Sequence, residues 1–200
     1  MHKLPKSKFN SFFIQHNDFN KHGFKEWIFY PGMLYQDMDT WWTDAVRPTP
    51  HEGIDLCFYR GGSGQVHRIG KGTKIPVMYD GEIVHIHDDF LGKSIYVKHN
   101  TINEMGNILY TIYGHAIPLN RHGTNMIICE GDIIAEMAIS PKNKSIHPHI
   151  HITMAWLPEL LSIKKINWET IGNPQLVTLC NPIEYLGIKF TVDRSIDVKD

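Results

Sequence analysis

His149 and His151 stand two residues apart in the run Ser145-Ile146-His147-Pro148-His149-Ile150-His151-Ile152-Thr153. Alternation of polar and apolar residues predicts a β-strand, on which positions two apart share a face. Their Cβ atoms would then stand roughly 7 Å apart. Two imidazoles so placed can bind one metal ion, or one can bind it while the other handles protons beside it. The same pattern fits a solvent-facing strand whose polar side is histidine, so the pair gains weight only from other residues.

The first of these are His51 and Asp55, in Arg47-Pro48-Thr49-Pro50-His51-Glu52-Gly53-Ile54-Asp55. His-Glu opens like the zinc-binding H-E-x-x-H helix. Here, however, the second histidine is an aspartate, Gly53 sits inside the motif, and the prolines stiffen the approach. In a fully extended chain the two Cα atoms would lie roughly 13 Å apart, too far for comfortable binding of one ion. The segment is therefore expected to bend, with Gly53 allowing the bend, and to feed a strand over 56–59. His51, Asp55 and one histidine of the 149/151 pair would make a His₂Asp site. Three nitrogen and oxygen ligands leave a fourth tetrahedral position open, the pattern of a catalytic zinc site.

A third element is Tyr110-Thr111-Ile112-Tyr113-Gly114-His115. Strand alternation puts Thr111, Tyr113 and His115 on one face, with His115 at the strand end, able to meet the 149/151 face across a sheet.

Taken in order, these elements resemble the lysostaphin-like zinc endopeptidases that cleave peptidoglycan cross-bridges. That family shows H-x-x-x-D, then Y-x-H, then H-x-H. This chain has His51 and Asp55, Tyr113-Gly114-His115, and Pro148-His149-Ile150-His151. Asp80-Gly81-Glu82-Ile83-Val84, the 92–99 segment ending at His99, and Gly131-Asp132-Ile133-Ile134 are similar to family landmarks between them. The resemblance covers about residues 46–156. It implies that His51, Asp55 and His151 are metal ligands for one zinc ion per chain. It also implies that His115 and His149 are catalytic histidines placed beside the metal without binding it. The chain departs from the family at Ala116, His147, Thr153 and Met137-Ala138. None of these is a proposed ligand or catalytic residue, but they bear on the groove and so on the substrate.

The elements that must position these residues read as mainly β. Short segments rich in Ile, Val and Tyr, at 74–78, 81–87, 94–99, 108–114, 126–129 and 133–139, are bounded by Gly, Asn and Asp. They predict a single antiparallel β-sheet domain with a metal-binding groove and few short helices. Residues 1–45 carry many aromatics, Trp41 and Trp42 among them, without a clean period, and are expected to form an irregular extension packed on the 46–156 domain; aromatics of this kind can also line the wall of a substrate groove. Residues 157–200 are expected to be a tail over the sheet. His85 and His87 form a second alternating pair, read as a solvated strand face. His99 and His122 are read as surface residues, His147 as exposed at the cleft rim, and Cys57, Cys129 and Cys180 as small core residues without a disulfide framework.

Composition excludes some classes. A net charge of -1 leaves no electrostatic footprint for nucleic acid or an anionic membrane, and 42% hydrophobic with 20% charged residues suits a globular domain. Thirteen histidines are a high count for 200 residues and favour metal chemistry. No apolar run approaches the roughly 18 residues of a membrane span. The basic start of the chain lacks the apolar region of a signal peptide, while a cell-wall enzyme implies a periplasmic or extracellular site. The expected partner is peptidoglycan or another peptide substrate, with no nucleic acid and an unspecified oligomeric state. Two rivals are a non-catalytic cell-wall or partner-binding module on the same scaffold, and a histidine-rich metal-binding protein.

Overall fold

The computed structural model describes residues 4–120, 123–139, 146–163, 166–196 and 198. Ser145 and His122 lie outside these described residues. In chain order the strands are β1 (Glu26–Phe29), β2 (Ile54–Leu56), β3 (Phe58–Arg60), β4 (Val66–Arg68), β5 (Lys74–Pro76), β6 (Gly81–Asp88) and β7 (Lys93–Ile102). They continue with β8 (Asn107–Pro118), β9 (Met126–Ile128), β10 (Ile133–Met137), β11 (Ile150–Pro158), β12 (Thr178–Cys180) and β13 (Phe190–Val192). The helices are short: α1 (Phe9–His16), α2 (Trp168–Ile171) and α3 (Ile183–Leu186).

The large sheet is antiparallel and runs β12-β11-β8-β7-β6-β9, with β2 paired to β11, and β10 paired to β8 and β5. This is the mainly β architecture with few short helices that the segment pattern predicts. Beside it lies a small sheet, β13-β1-β3-β4, in which β1 and β13 run parallel. The expected single strand over 56–59 is two strands, because the chain passes from one sheet to the other at the buried Cys57.

β8 is buried along nearly its whole length, since the sheet is covered on both faces. Leu109 and Tyr113 pack into the larger core with Ile95, Val97, Ile152 and Met154, and the aromatic N-terminal segment joins them there. Ile108, Tyr110 and Ile112 face the other way, onto Ile166, Ile171 and Val177 of the C-terminal segment. In the N-terminal part, Phe13 stacks on Trp27 at 5.5 Å and Phe19 on Tyr59 at 4.8 Å, so these rings are core.

The structure corrects three expectations, the first of them because the sheet is covered on both faces. His99 is buried rather than on the surface: its ring nitrogens bond the Asp80 carbonyl at 2.8 Å and the Thr111 hydroxyl at 2.9 Å. His147 is buried rather than exposed at the rim, because the Arg68 guanidinium bonds its ring at 2.7 Å and Trp41 stacks on it. Of the cysteines only Cys57 is buried; Cys129 is exposed and Cys180 half-buried, since they sit in the 126–130 turn region and the edge strand β12.

Candidate metal centre

Asp55 is the middle residue of β2, and β2 pairs with β11 so that Asp55 lies opposite His151. Directly opposed residues of an antiparallel pair point to the same side, which brings carboxylate and imidazole together. Gly53 permits this in a more particular way than a bend: a Cβ there would lie 2.2 Å from the Ile152 carbonyl oxygen, so no side chain fits. His51 precedes the strand. Its backbone N–H bonds the Asp37 carbonyl and its carbonyl accepts from Gln36 N–H.

The three side chains meet. His151 Nδ1 lies 2.9 Å from Asp55 Oδ1 and 3.1 Å from His51 Nε2, and His51 Nε2 lies 3.4 Å from Asp55 Oδ1. Ligands about 2.0–2.1 Å from a tetrahedral ion stand about 3.3 Å from one another, so the set fits one zinc-sized ion. Among the described residues this is the group of metal-ligating side chains whose donor atoms all lie within 4.8 Å of each other. All three residues are buried.

The far side of each ligand is also held. His51 Nδ1–H donates to the Leu34 carbonyl at 3.0 Å, which leaves Nε2 as the lone-pair nitrogen. Trp41 Nε1–H donates to Asp55 Oδ2 at 2.8 Å, and the Arg47 guanidinium stands 3.8 Å from the same oxygen. His151 Nε2 lies 2.8 Å from Thr153 Oγ1, a hydroxyl that can accept when Nδ1 presents its lone pair. Burial alone would raise the Asp55 pKa, but His51 and His149 beside it, with hydrogen bonds from the histidines, hold the carboxyl well below the usual range. It is an anion at neutral pH.

His149 and His115 line the same cavity of about 260 Å³ as the triad. His149 Nδ1–H donates to the His147 carbonyl at 2.8 Å, leaving Nε2, which is 3.7 Å from Asp55 Oδ1. Burial pushes the His149 imidazole down to about 3, so it is neutral at pH 7. The His115 ring lies edge-on to His149 at 4.7 Å between centroids and 6.0 Å from His151.

His115 arrives there by a route that alternation did not predict. It lies inside β8, not at its end, and Gly114, not His115, is opposite His151. Regular alternation would turn His115 to the Tyr113 face, where the Tyr113 hydroxyl is buried against Met78 N–H. Instead the register slips between β7 and β8: Ile95 pairs with Tyr113 but Lys93 with Ala116. That slip is a β-bulge at 114–115, and His115 takes a left-handed φ of 61°. The extra residue re-aims the ring to the His151 face, and Ala116 returns to the core.

Sequence reasoning offered the N-terminal aromatics as a possible groove wall but did not single out the residues that frame this site. Trp41 and Leu34 come from the aromatic N-terminal segment, whose lack of period hid them. Trp42, Phe90 and Trp168 wall the cavity, and Arg47 and Glu52 line it. Trp168 sits edge-on to His151 at 4.9 Å, and it belongs to the C-terminal segment in which no chemistry was anticipated. Asp89 bonds His115 from the β6–β7 turn. His85 and His87 do not join the site: they are half-buried and exposed on β6, stacked on each other at 5.9 Å.

No family model and no curated protein matches the chain. Among solved structures it is similar to lysostaphin, at 16% identity over 91% of this chain and 56% of that one, with a TM-score of 0.47. The chain thus spans just over half the length of that structure. It is also similar to the catalytic domain of the prophage-encoded M23 protein EnpA from Enterococcus faecalis, at 20% identity over 77% and 92% of the two chains, TM-score 0.41. A chain of the SpoIIQ–SpoIIIAH pore forming complex matches at 14% identity over 84% and 86%, TM-score 0.44. At these identities the likeness is one of fold, and functional argument rests on the site itself. Lysostaphin and M23 proteins, whose motif order the sequence resembles, stand among its structural neighbours.

Proposed function

We propose that this protein is a zinc-dependent endopeptidase that hydrolyses peptide bonds in the peptide portion of peptidoglycan, outside the cytoplasm. The observation that supports it best is the His51–Asp55–His151 triad with its outer atoms all engaged and two further imidazoles on its open side. Where metal storage is the task, a pair of non-ligating histidines facing the open position serves no purpose.

His51 Nε2, Asp55 Oδ1 and His151 Nδ1 would hold a zinc ion, which would supply Lewis acidity to a scissile carbonyl and lower the pKa of a bound water. The chain's own residues do the rest. His149 is neutral and tied through Nδ1–H, so its Nε2 is a base positioned to take a proton from the attacking water. His115, whose ring lies 4.7 Å from that of His149, presents its Nε2 to the same space, where it can take up a proton and then, once protonated, steady the oxyanion or pass the proton to the leaving amine. Trp42, Phe90 and Trp168 narrow the cavity around an extended peptide and limit water.

The test is bound metal per chain in wild type and His151→Ala, followed by release of soluble fragments from purified peptidoglycan. One zinc per wild-type chain, lost in the variant together with fragment release, is the expected result. Zinc-loaded wild type that leaves peptidoglycan intact would end the peptidase reading. The binding-module alternative would then be favoured.

A further inference from the structure

The β6–β7 turn contains a carboxylate that the metal triad does not use. The Asp89 side chain is fully buried, at 0% exposure. Oδ1 accepts from Leu91 N at 2.9 Å, from Gly92 N at 2.7 Å and from His115 Nδ1 at 3.2 Å. Oδ2 accepts from Ser94 Oγ at 2.8 Å and from His115 N at 2.8 Å. Bonds to residues 91, 92 and 94 are what an aspartate does to close a turn. The two bonds to His115 reach across to another strand, and the turn does not need them.

Those two bonds account for a backbone state that is otherwise unfavourable. A left-handed backbone is strained for a non-glycine residue, and persists where its surroundings over-determine it. Gly114 next door could have taken that conformation more cheaply, yet His115 takes it. Asp89 grips His115 by both main-chain N–H and ring. An ionised carboxylate only accepts, so the ring must donate through Nδ1–H, and Nε2 is left for the cavity. The same turn carries Phe90, whose ring lies 4.7 Å from His115 and lines the cavity.

We propose that Asp89 is the positioning residue for His115: it fixes the Nδ1–H tautomer and the left-handed backbone that together deliver Nε2 to the cavity. The catalytic consequence rests on the peptidase reading, whereas the tautomer rests on geometry alone. The structural alternative is that Asp89 merely closes the turn.

Nitrogen-15 NMR of the His115 ring in the zinc-loaded full chain separates them. A single Nδ1–H tautomer is expected in wild type. Asp89→Asn, whose amide can donate as well as accept, should admit the Nε2–H tautomer while zinc stays bound at wild-type stoichiometry. Its kcat for fragment release from purified peptidoglycan should fall by about 10²–10⁴-fold with little change in KM. Placed in a His115→Ala background, the same substitution should cost nothing further. An Nε2–H tautomer in wild type would overturn the proposal, as would a kcat for Asp89→Asn within about twofold of wild type. The wild-type spectrum decides the tautomer even if Asp89→Asn does not fold. Wild type that releases no fragments would sink the peptidase reading and leave the spectrum to judge Asp89.

Discussion

Two His-x-His pairs belong to the same sheet, His85 and His87 on β6 and His151 on β11 with His149 just before that strand begins, and they differ in almost everything but spacing. His149 and His151 are buried, His149 Nδ1 is held by the His147 carbonyl and His151 Nε2 by the Thr153 hydroxyl, and Asp55 Oδ1 stands beside both rings and His51. His85 and His87 stack on one another at the solvent face, with Tyr96 as the ring neighbour of His85 and no carboxylate within salt-bridge distance among the described residues. Alternation can place two imidazoles on one face, but it cannot supply an anion, orient the tautomers or exclude water. Those come from Leu34, Trp41, Asp55 and Thr153, three of them more than ninety positions from His149 in the chain, and the contrast shows that the outer partners make the site.

The largest expected contrast is in metal binding. His151→Ala should abolish zinc binding measured by elemental analysis after dialysis, whereas His85→Ala should leave it untouched. Loss in both would dissolve the distinction between the pairs. Next in size is His149→Ala, which should keep its zinc and lose about 10²–10⁴-fold in kcat, the usual contribution of a positioned proton-transfer group. If zinc leaves with the His149 ring, that residue is a ligand, and its role must be redrawn.

Much of this was legible in the sequence, and the rest was hidden for identifiable reasons. Short β-branched segments between turn residues marked the strands of the large sheet; spacing offered His51, Asp55 and one of His149 and His151 as candidate ligands, and the family resemblance implied His151. The partners of those ligands were not legible. Trp41 and Leu34 act through a side-chain N–H and a main-chain carbonyl, from a stretch with no period to read. His115 was found for an incomplete reason, because a bulge with left-handed histidine is set by Asp89 on another strand pair, not by any local signal. His99 was misplaced since alternation names two faces without saying that both are covered.

His99 sharpens the comparison from a third side, as a buried histidine with no metal role. Burial lowers its pKa from 6.5 to about 4. The neutral form is therefore favoured in the fold, so its contribution is complete above pH 6.5 and is lost as pH falls toward 4. The size is roughly 3 kcal/mol. Denaturant melts between pH 7 and 4 should show this slope, and His99→Gln should flatten it; an unchanged slope would show that His99 is not its source.

Smaller effects are expected where the ligands' outer partners are trimmed. Trp41→Phe keeps an aromatic ring but removes the N–H donated to Asp55 Oδ2. Zinc affinity, measured by competition with a chelator, should weaken by about 10–100-fold, as for other partners of metal ligands. Thr153→Val should act in the same direction through His151 Nε2. Unchanged affinity in both would mean that the three ligands alone suffice, and that burial rather than hydrogen bonding separates the two histidine pairs.

The smallest effect is the most exacting for the comparison. In the double variant His85→Ala/His87→Ala, two rings are removed from a half-buried and an exposed position on β6. The substitution takes away only their mutual stacking and the packing of His85 against Tyr96. Surface changes of this kind alter stability by no more than about 0.5 kcal/mol, and zinc stoichiometry, peptidoglycan cleavage and KM should all match wild type. A second zinc bound by wild type and missing from this variant would show that paired imidazoles on a strand bind metal without a carboxylate or fixed tautomers. The metal-buffer reading would then gain, and the distinction drawn between the two pairs would lose its physical basis.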